Sequence, residues 1–189
     1  MPTTFTIDRY LNIRAASGPS FSPDGRFVSF LTNTTGVSQL WNVPADGGWP
    51  MQLTFTRDSV RGAHYNPRRH QLIFSQDRGG NERNQLYLLR GVGGGTDHGI
   101  GEGWVIENLT RQPKAVHAFG GWSHDGDWFA FSANRADPTR FDVYVQKVGE
   151  KTARLVHKGR GGYFQSAGWS PDDKTLLVSH VPSNHNQDL

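Results

Sequence analysis

Apolar residues along this chain come in short alternating runs bounded by polar turns. Val28 and Phe30, Leu72 and Phe74, Phe129 and Phe131, and Leu176 and Val178 are pairs two residues apart. That spacing predicts a strand with one face buried. Further runs follow each pair: Gln39-Leu40-Trp41-Asn42-Val43, Gln85-Leu86-Tyr87-Leu88-Leu89 and Asp142-Val143-Tyr144-Val145. Last come edge-like strands ending in Leu53-Thr54, Leu109-Thr110 and Leu155-Val156. The turns leave no uninterrupted apolar window of the ten to twelve residues that a helix needs.

The runs repeat in register. Ser22, Asn66, Ser123 and Ser170 align without gaps into the strands behind them, 44, 57 and 47 residues apart. Pro23, Pro67 and Pro171 coincide, with His124 in the third copy; Asp24-Gly25 falls on Arg68-Arg69, Asp125-Gly126 and Asp172-Asp173. Ser-Pro-Asp-Gly is a turn in which Pro fixes φ, Asp caps the backbone and Gly accepts positive φ. Four strands per ~45 residues is the pattern of a β-propeller blade. The fold expected is therefore all-β, a β-propeller of about three and a half four-stranded antiparallel blades in an incomplete ring. An N-terminal arm would occupy residues 1–16 and the partial propeller 17–189, with blades near 17–56, 60–112, 117–158 and a truncated 164–189. Phe5 to Arg14 reads as a short amphipathic helix or arm. The longer second spacing is explained by Gly91–Gly103, an extended hairpin loop without the spacing of a phosphate-binding motif. A blade cut short exposes strand edges and a core face, so the chain reads as the amino-terminal part of a longer protein.

Composition narrows the classes of function. There are no cysteines, which excludes disulfides and thiolate metal sites and agrees with a reducing cytoplasm. The first residues have neither the basic nor the apolar segment of a secretory leader, and no run approaches a membrane span. The net charge of +3 comes from 20 Lys and Arg spread along the chain, without the basic stripe that nucleic acid requires. No cofactor motif is present, and the eight His lack metal-ligand spacing; His180 and His185 only flank a polar turn. The Asp-Gly pairs lack a calcium loop's terminal Glu and read as turn formers.

Three segments together resemble the start of a prolyl oligopeptidase family serine peptidase, nearest its acylaminoacyl-peptidase and dipeptidyl-peptidase branch. They are Phe5-Thr6-Ile7-Asp8-Arg9-Tyr10-Leu11, Ser22-Pro23-Asp24-Gly25 and Gln39-Leu40-Trp41. The turn Asp77-Arg78-Gly79-Gly80-Asn81-Glu82-Arg83-Asn84-Gln85-Leu86-Tyr87 is similar to that branch's second blade. The Ser-Pro-Asp-Gly blades are shared with TolB-like propellers. The resemblance implies a propeller that gates peptide access to a C-terminal α/β-hydrolase domain of the same longer chain, in the cytoplasm, with homo-oligomers also in view. The Ser, Asp and His of the triad would lie beyond Leu189. The competing reading is a TolB-like module that binds a protein partner and has no enzyme activity.

Within the chain itself no catalytic residue is expected. The nucleophile elbow Gly-x-Ser-x-Gly is absent. Ser123-His124-Asp125 imitates a triad in composition alone, because three consecutive residues of a hairpin turn cannot converge on one proton path. Trp122, Phe131 and Trp169 are expected in the core or between blades. Arg78, Glu82 and Arg83 remain as candidate substrate-binding residues. They fall in a loop between the second and third strands of blade two, where Glu82 would pair an ammonium group and an Arg a carboxylate or carbonyl. The competing reading is a salt-bridged turn.

Overall fold

Each Ser-Pro-Asp-Gly segment closes on itself through its own side chains. The Ser22 hydroxyl donates to Asp24 at 2.6 Å and accepts the amide of Phe27 at 3.0 Å. Ser123 repeats this with Asp125 and Trp128 at 2.6 and 2.9 Å, and Ser170 with Asp172 and Thr175 at 2.6 and 2.9 Å. The carboxylates also accept the amides of Arg26, Asp127 and Lys174 two residues on. In the second copy Asn66 does the work of both residues, its Oδ1 accepting the amides of Arg68 and Arg69.

The structure, a computed structural model, describes residue 7 and residues 13–91, 103–183 and 186–188. Most of the expected arm, nearly all of the Gly91–Gly103 loop, and His185 lie outside the described residues. Among those described, four antiparallel sheets follow one another along the chain. The first runs β1 (Ala16–Phe21), β2 (Phe27–Thr32), β3 (Gln39–Pro44), β4 (Met51–Gln52). The second runs β5 (Val60–Tyr65), β6 (Gln71–Gln76), β7 (Gln85–Gly91), β8 (Trp104–Asn108). The third runs β9 (His117–Trp122), β10 (Trp128–Ala133), β11 (Asp142–Lys147), β12 (Ala153–His157). The fourth has β13 (Tyr163–Trp169), β14 (Leu176–Ser183) and β15 (Asn186–Asp188). This is the β-propeller read from the sequence, with a ring that is not closed.

Burial departs from the expectation of one buried face per strand. In the second sheet Leu72, Phe74 and Leu89 join Leu31, Leu40 and Leu53 in one core, while Ile73, Leu86 and Leu88 join Phe129, Phe131 and Tyr144 in another. Alternate side chains of one strand thus fill two different interfaces, because the sheet lies between two neighbours. The outer sheets show the consequence. Leu177 holds the place of Ile73 in the fourth sheet and is 57% exposed, whereas Ile73 is fully buried.

Polar contacts between sheets run along the turns. Asn66 Nδ2 donates to the carbonyl of Gly126 at 2.7 Å, Arg68 to that of His124 at 3.0 Å, and Arg69 pairs with Asp127. Asp173, at the place of Gly126 in the next copy, accepts the amides of His124 and Asp125 at 2.8 and 2.9 Å. His70 reaches back to Asp24 at 3.2 Å. One strand inward, Trp122 Nε1 donates to the His64 carbonyl at 3.1 Å and Trp169 Nε1 to that of Gly121 at 3.3 Å. Tyr65 at the equivalent place bonds Asn42 at 3.3 Å.

Gly25 and Gly126 separate the local demand of the turn from the demand of the neighbouring sheet. Their φ values are +71° and +70°, yet a Cβ on Gly25 would meet nothing, while one on Gly126 would collide with Asn66 Oδ1. Gly25→Ala is expected to cost about 1 kcal/mol, the left-handed penalty alone. Gly126→Ala is expected to cost about 2 kcal/mol more, since the Asn66 bond to its carbonyl is also displaced. Chemical denaturation of both variants checks this; equal losses would show that the turn-to-turn contact contributes nothing.

Candidate functional site

At the turn end of the sheets the polar groups are engaged in holding the fold. Ser123 is fully buried, its hydroxyl shared between Asp125 and Trp128. The His124 ring points away from it, Nδ1 meeting Asp173 at 2.7 Å. A nucleophile needs an exposed oxygen and a base within reach, and this triplet supplies neither.

The opposite end is built differently. There the loops joining second to third strands (33–38, 77–84 and 134–141) meet the connectors that carry the chain to the next blade. The first residue of each third strand ties the two together. Gln39 exchanges bonds with Thr56 and donates to Asp58. Gln85 donates to the carbonyls of Gln112 and Ala115 at 3.0 and 2.9 Å and accepts the Gln112 amide at 3.1 Å. Asp142 accepts the Gly159 amide at 2.8 Å. These buried side chains hold the loop end in place without closing it over.

Arg78, Glu82 and Arg83 all stand exposed on the loop between β6 and β7. The loop is pinned by its backbone: Glu82 N donates to Asp77 at 2.9 Å, Arg83 N to Asn81 at 2.9 Å and Gly79 N to Asp58 at 2.9 Å. Glu82 takes a φ of 58°, a conformation a non-glycine residue adopts only when its surroundings impose it. Among the described residues none of the three side chains forms an ion pair. The turn is therefore held by backbone capping and not by salt bridges.

A second cluster on the same end was missed by sequence reasoning. His117 is 1% exposed, with Nδ1 at 3.2 Å from the Asn84 carbonyl and Nε2 at 3.2 Å from Arg135 Nη2. That geometry makes Nδ1 the donor and leaves Nε2 to accept from the guanidinium. Arg135 lies over the rings of Phe131 and Tyr144 at 5.0 and 4.8 Å. The signal that could have found it is the repeat: Arg135, Phe131 and Tyr144 stand 57 residues after Arg78, Phe74 and Tyr87, the same offset as Ser123 from Asn66. Phe74 and Tyr87 stack at 5.3 Å, and Arg78 is close enough for its charge to oppose the upward push of burial on the Tyr87 hydroxyl. One arginine position is thus half-buried in the third blade and open in the second.

His180, the nearer of the two flanking histidines, is accounted for by packing, stacked on Phe164 at 4.0 Å with Nε2 at 3.1 Å from the Gly161 carbonyl. Among the described residues no cluster of His, Asp or Glu has the makings of a metal site.

No family model matches the chain. Dipeptidyl aminopeptidase BIII of Pseudoxanthomonas mexicana is 30% identical over 164 residues, which is 82% of this chain and 21% of that protein. Of solved structures, TolB from Acinetobacter baumannii superposes with a TM-score of 0.64 at 15% identity, covering 92% of this chain and 39% of its own. The β-propeller domain of the trilobed protease from Pyrococcus furiosus gives 0.54 at 14% identity, covering 90% and 51%. The chain is thus similar both to TolB-like propellers and to a peptidase of the kind its sequence resembles. It spans about a fifth of the length of the curated relatives it matches.

The buried His117 makes stability depend on pH. Burial, reinforced by the Arg135 charge, brings His117 from 6.5 down to about 4. Between those values the unfolded chain binds more protons than the folded one, so stability rises with pH there. It is present in full above pH 6.5 and lost as pH falls toward 4. For His117 the loss amounts to about 3 kcal/mol. Denaturation curves from pH 4 to 8 should show this slope, and His117→Gln should flatten it; an unchanged slope in the variant would remove His117 as its source.

Proposed function

We propose that this chain is the access-controlling part of a propeller in a cytoplasmic serine peptidase that acts on peptides. The hydrolase domain with its Ser, Asp and His would belong to the same longer chain, outside these residues. The observation that carries the reading is Phe21. Tyr65, Trp122 and Trp169, at the equivalent place in the other blades, each donate a hydrogen bond to a preceding blade, whereas Phe21 is 65% exposed. A propeller blade buries both faces only against neighbours, so an open aromatic at this place calls for further blades. The similarity to a dipeptidyl aminopeptidase over 82% of the chain supports the choice of partner domain.

In this reading the chain contributes geometry and charge, not covalent chemistry. The loop end, with Arg78, Glu82 and Arg83 exposed, is the one suited to face the hydrolase domain. Glu82 would hold a peptide's ammonium group and the two arginines its carbonyl or carboxylate groups. The competing reading, a TolB-like protein-binding module, draws on the other side of the first blade. Trp49 is 91% exposed there, beside a cleft of about 730 Å³ that it lines with Met51 and Pro44.

The full product of the native gene, treated with a serine-reactive fluorophosphonate, should be labelled outside residues 1–189, and Ser123→Ala should leave both labelling and peptide turnover unchanged. The 189 residues alone should turn over no dipeptidyl or acyl-aminoacyl substrate. A product without a reactive serine would overturn the peptidase reading and favour the binding module. Labelling at Ser123 would overturn the account of the turn.

A further inference from the structure

Beside His117 the loop end opens into a cleft of about 400 Å³ between the second and third blades. Its cations are Arg111, Lys114 and Arg135, and its apolar lining is Pro113, Ala115 and Pro138; no acidic residue lines it. Arg111 is already engaged, with Nη2 at 2.9 Å from Glu107 and Nε donating to the Asn108 carbonyl. Lys114 is exposed, and among the described residues it forms no ion pair. Arg135 is the unusual member. Its Nη2 meets His117, its Nε is buried without a partner, and among the described residues no carboxylate comes within ion-pair distance.

The Arg135 guanidinium lies over the rings of Phe131 and Tyr144, and among the described residues it has no counter-ion. The buried Asp142 carboxylate is taken up by Arg140 at 3.1 Å, the Gly159 amide at 2.8 Å and the Tyr144 hydroxyl at 3.4 Å. The His117 ring beside Arg135 offers a lone pair but no negative charge. A partly buried cation without an anion is costly, and burial accordingly lowers the hold of Arg135 on its proton. A planar guanidinium is the cation best matched to a planar carboxylate, and this one lies over two rings with no anion beside it among the described residues.

We propose that this cleft is a carboxylate subsite, in which Arg135 and Lys114 take the C-terminal carboxylate of a short peptide. The apolar walls at Pro113, Ala115 and Pro138 would pack against the peptide's last side chain. The proposal rests on the peptide-handling reading and assigns the peptide's C-terminal carboxylate to this cleft, leaving the ammonium group to Glu82 and carbonyls to Arg78 and Arg83. A free phosphate shares the negative charge but lacks the apolar body that the prolines and alanine would cover.

The test titrates the 189-residue chain with the tripeptide Ala-Ala-Phe, its C-terminal amide and inorganic phosphate, following backbone amide shifts of residues 111–116 and 134–138. The acid should saturate these shifts, with the amide and phosphate about tenfold weaker, the loss of one charge-assisted pair. Lys114→Ala, on an exposed side chain, should weaken the acid about threefold. Arg135→Lys should weaken it more, since an ammonium cannot reproduce the planar fork. Equal binding of acid and amide, or shifts that never saturate, would overturn the subsite; phosphate binding as well as the acid would overturn its assignment to peptides. Because the readout is binding to this chain alone, the subsite can fail while the parent remains a peptidase, and it can hold if the parent has no reactive serine.

Discussion

Everything in this fold depends on sheets pressed face to face, the second and third each lying between two others. A twisted four-stranded sheet of this size has two faces and too few residues to cover either alone. The second blade shows the solution, sending Leu72 and Phe74 one way and Ile73 the other from a single strand. Polar contacts then fix how the stacked sheets register. The bond of Asn66 to Gly126 and those of His124 and Asp125 to Asp173 lie at successive interfaces, with Gly126 and Asp173 at the same position of the turn. Close backbone approach accompanies them: a Cβ on Gly120 would lie 2.7 Å from Ser166 of the next blade.

How much of this could be read from the sequence follows from what kind of contact each feature uses. The turns were legible because Ser22, Asp24 and Gly25 act on their own backbone within five residues, so spacing alone carries their meaning. The strands were legible through alternation, but their burial was not. Whether Ile73 faces solvent or a core depends on a neighbouring blade that no local window contains. The exposed loop of Arg78, Glu82 and Arg83 was placed correctly between two strands. Its means of support was not, since Asp58 reaches it from a connector 21 residues away in sequence. The cluster of His117, Arg135 and Tyr144 was the least visible. His117 carries no motif, and its partners Asn84 and Arg135 come from two blades.

The apparent triad at Ser123 shows why composition alone misleads. The same hydroxyl-carboxylate pair recurs at Ser22 and Ser170, where Pro stands in place of His124. A catalytic serine must keep its oxygen free for attack, and here that oxygen closes a turn. The repeat therefore explains the residue types without any chemistry, and it does so at all three places with the same distances. The histidine is explained too, since its ring and amide both bind Asp173 of the following turn.

The two ends of the molecule consequently differ in what their charges are free to do. At the turn end Asp24 meets His70, Asp127 meets Arg69, Asp173 meets His124, and Asp172 meets Lys174. The first three of these pairs join successive blades, and a ligand that took those carboxylates would have to break the contacts between blades. At the loop end the structural work falls to side-chain amides such as Gln39 and Gln85 and to the carboxylates of Asp58, Asp77 and Asp142, which accept backbone amides, with Arg140 on Asp142. Arg78, Arg83, Lys114 and Arg135 are left without carboxylate partners among the described residues. Charge without a counter-ion in the fold is available to an anion outside it, and a partner that brings one gains most where the cation is already partly stripped of water. That asymmetry is the physical ground on which the proposed recognition at the loop end rests.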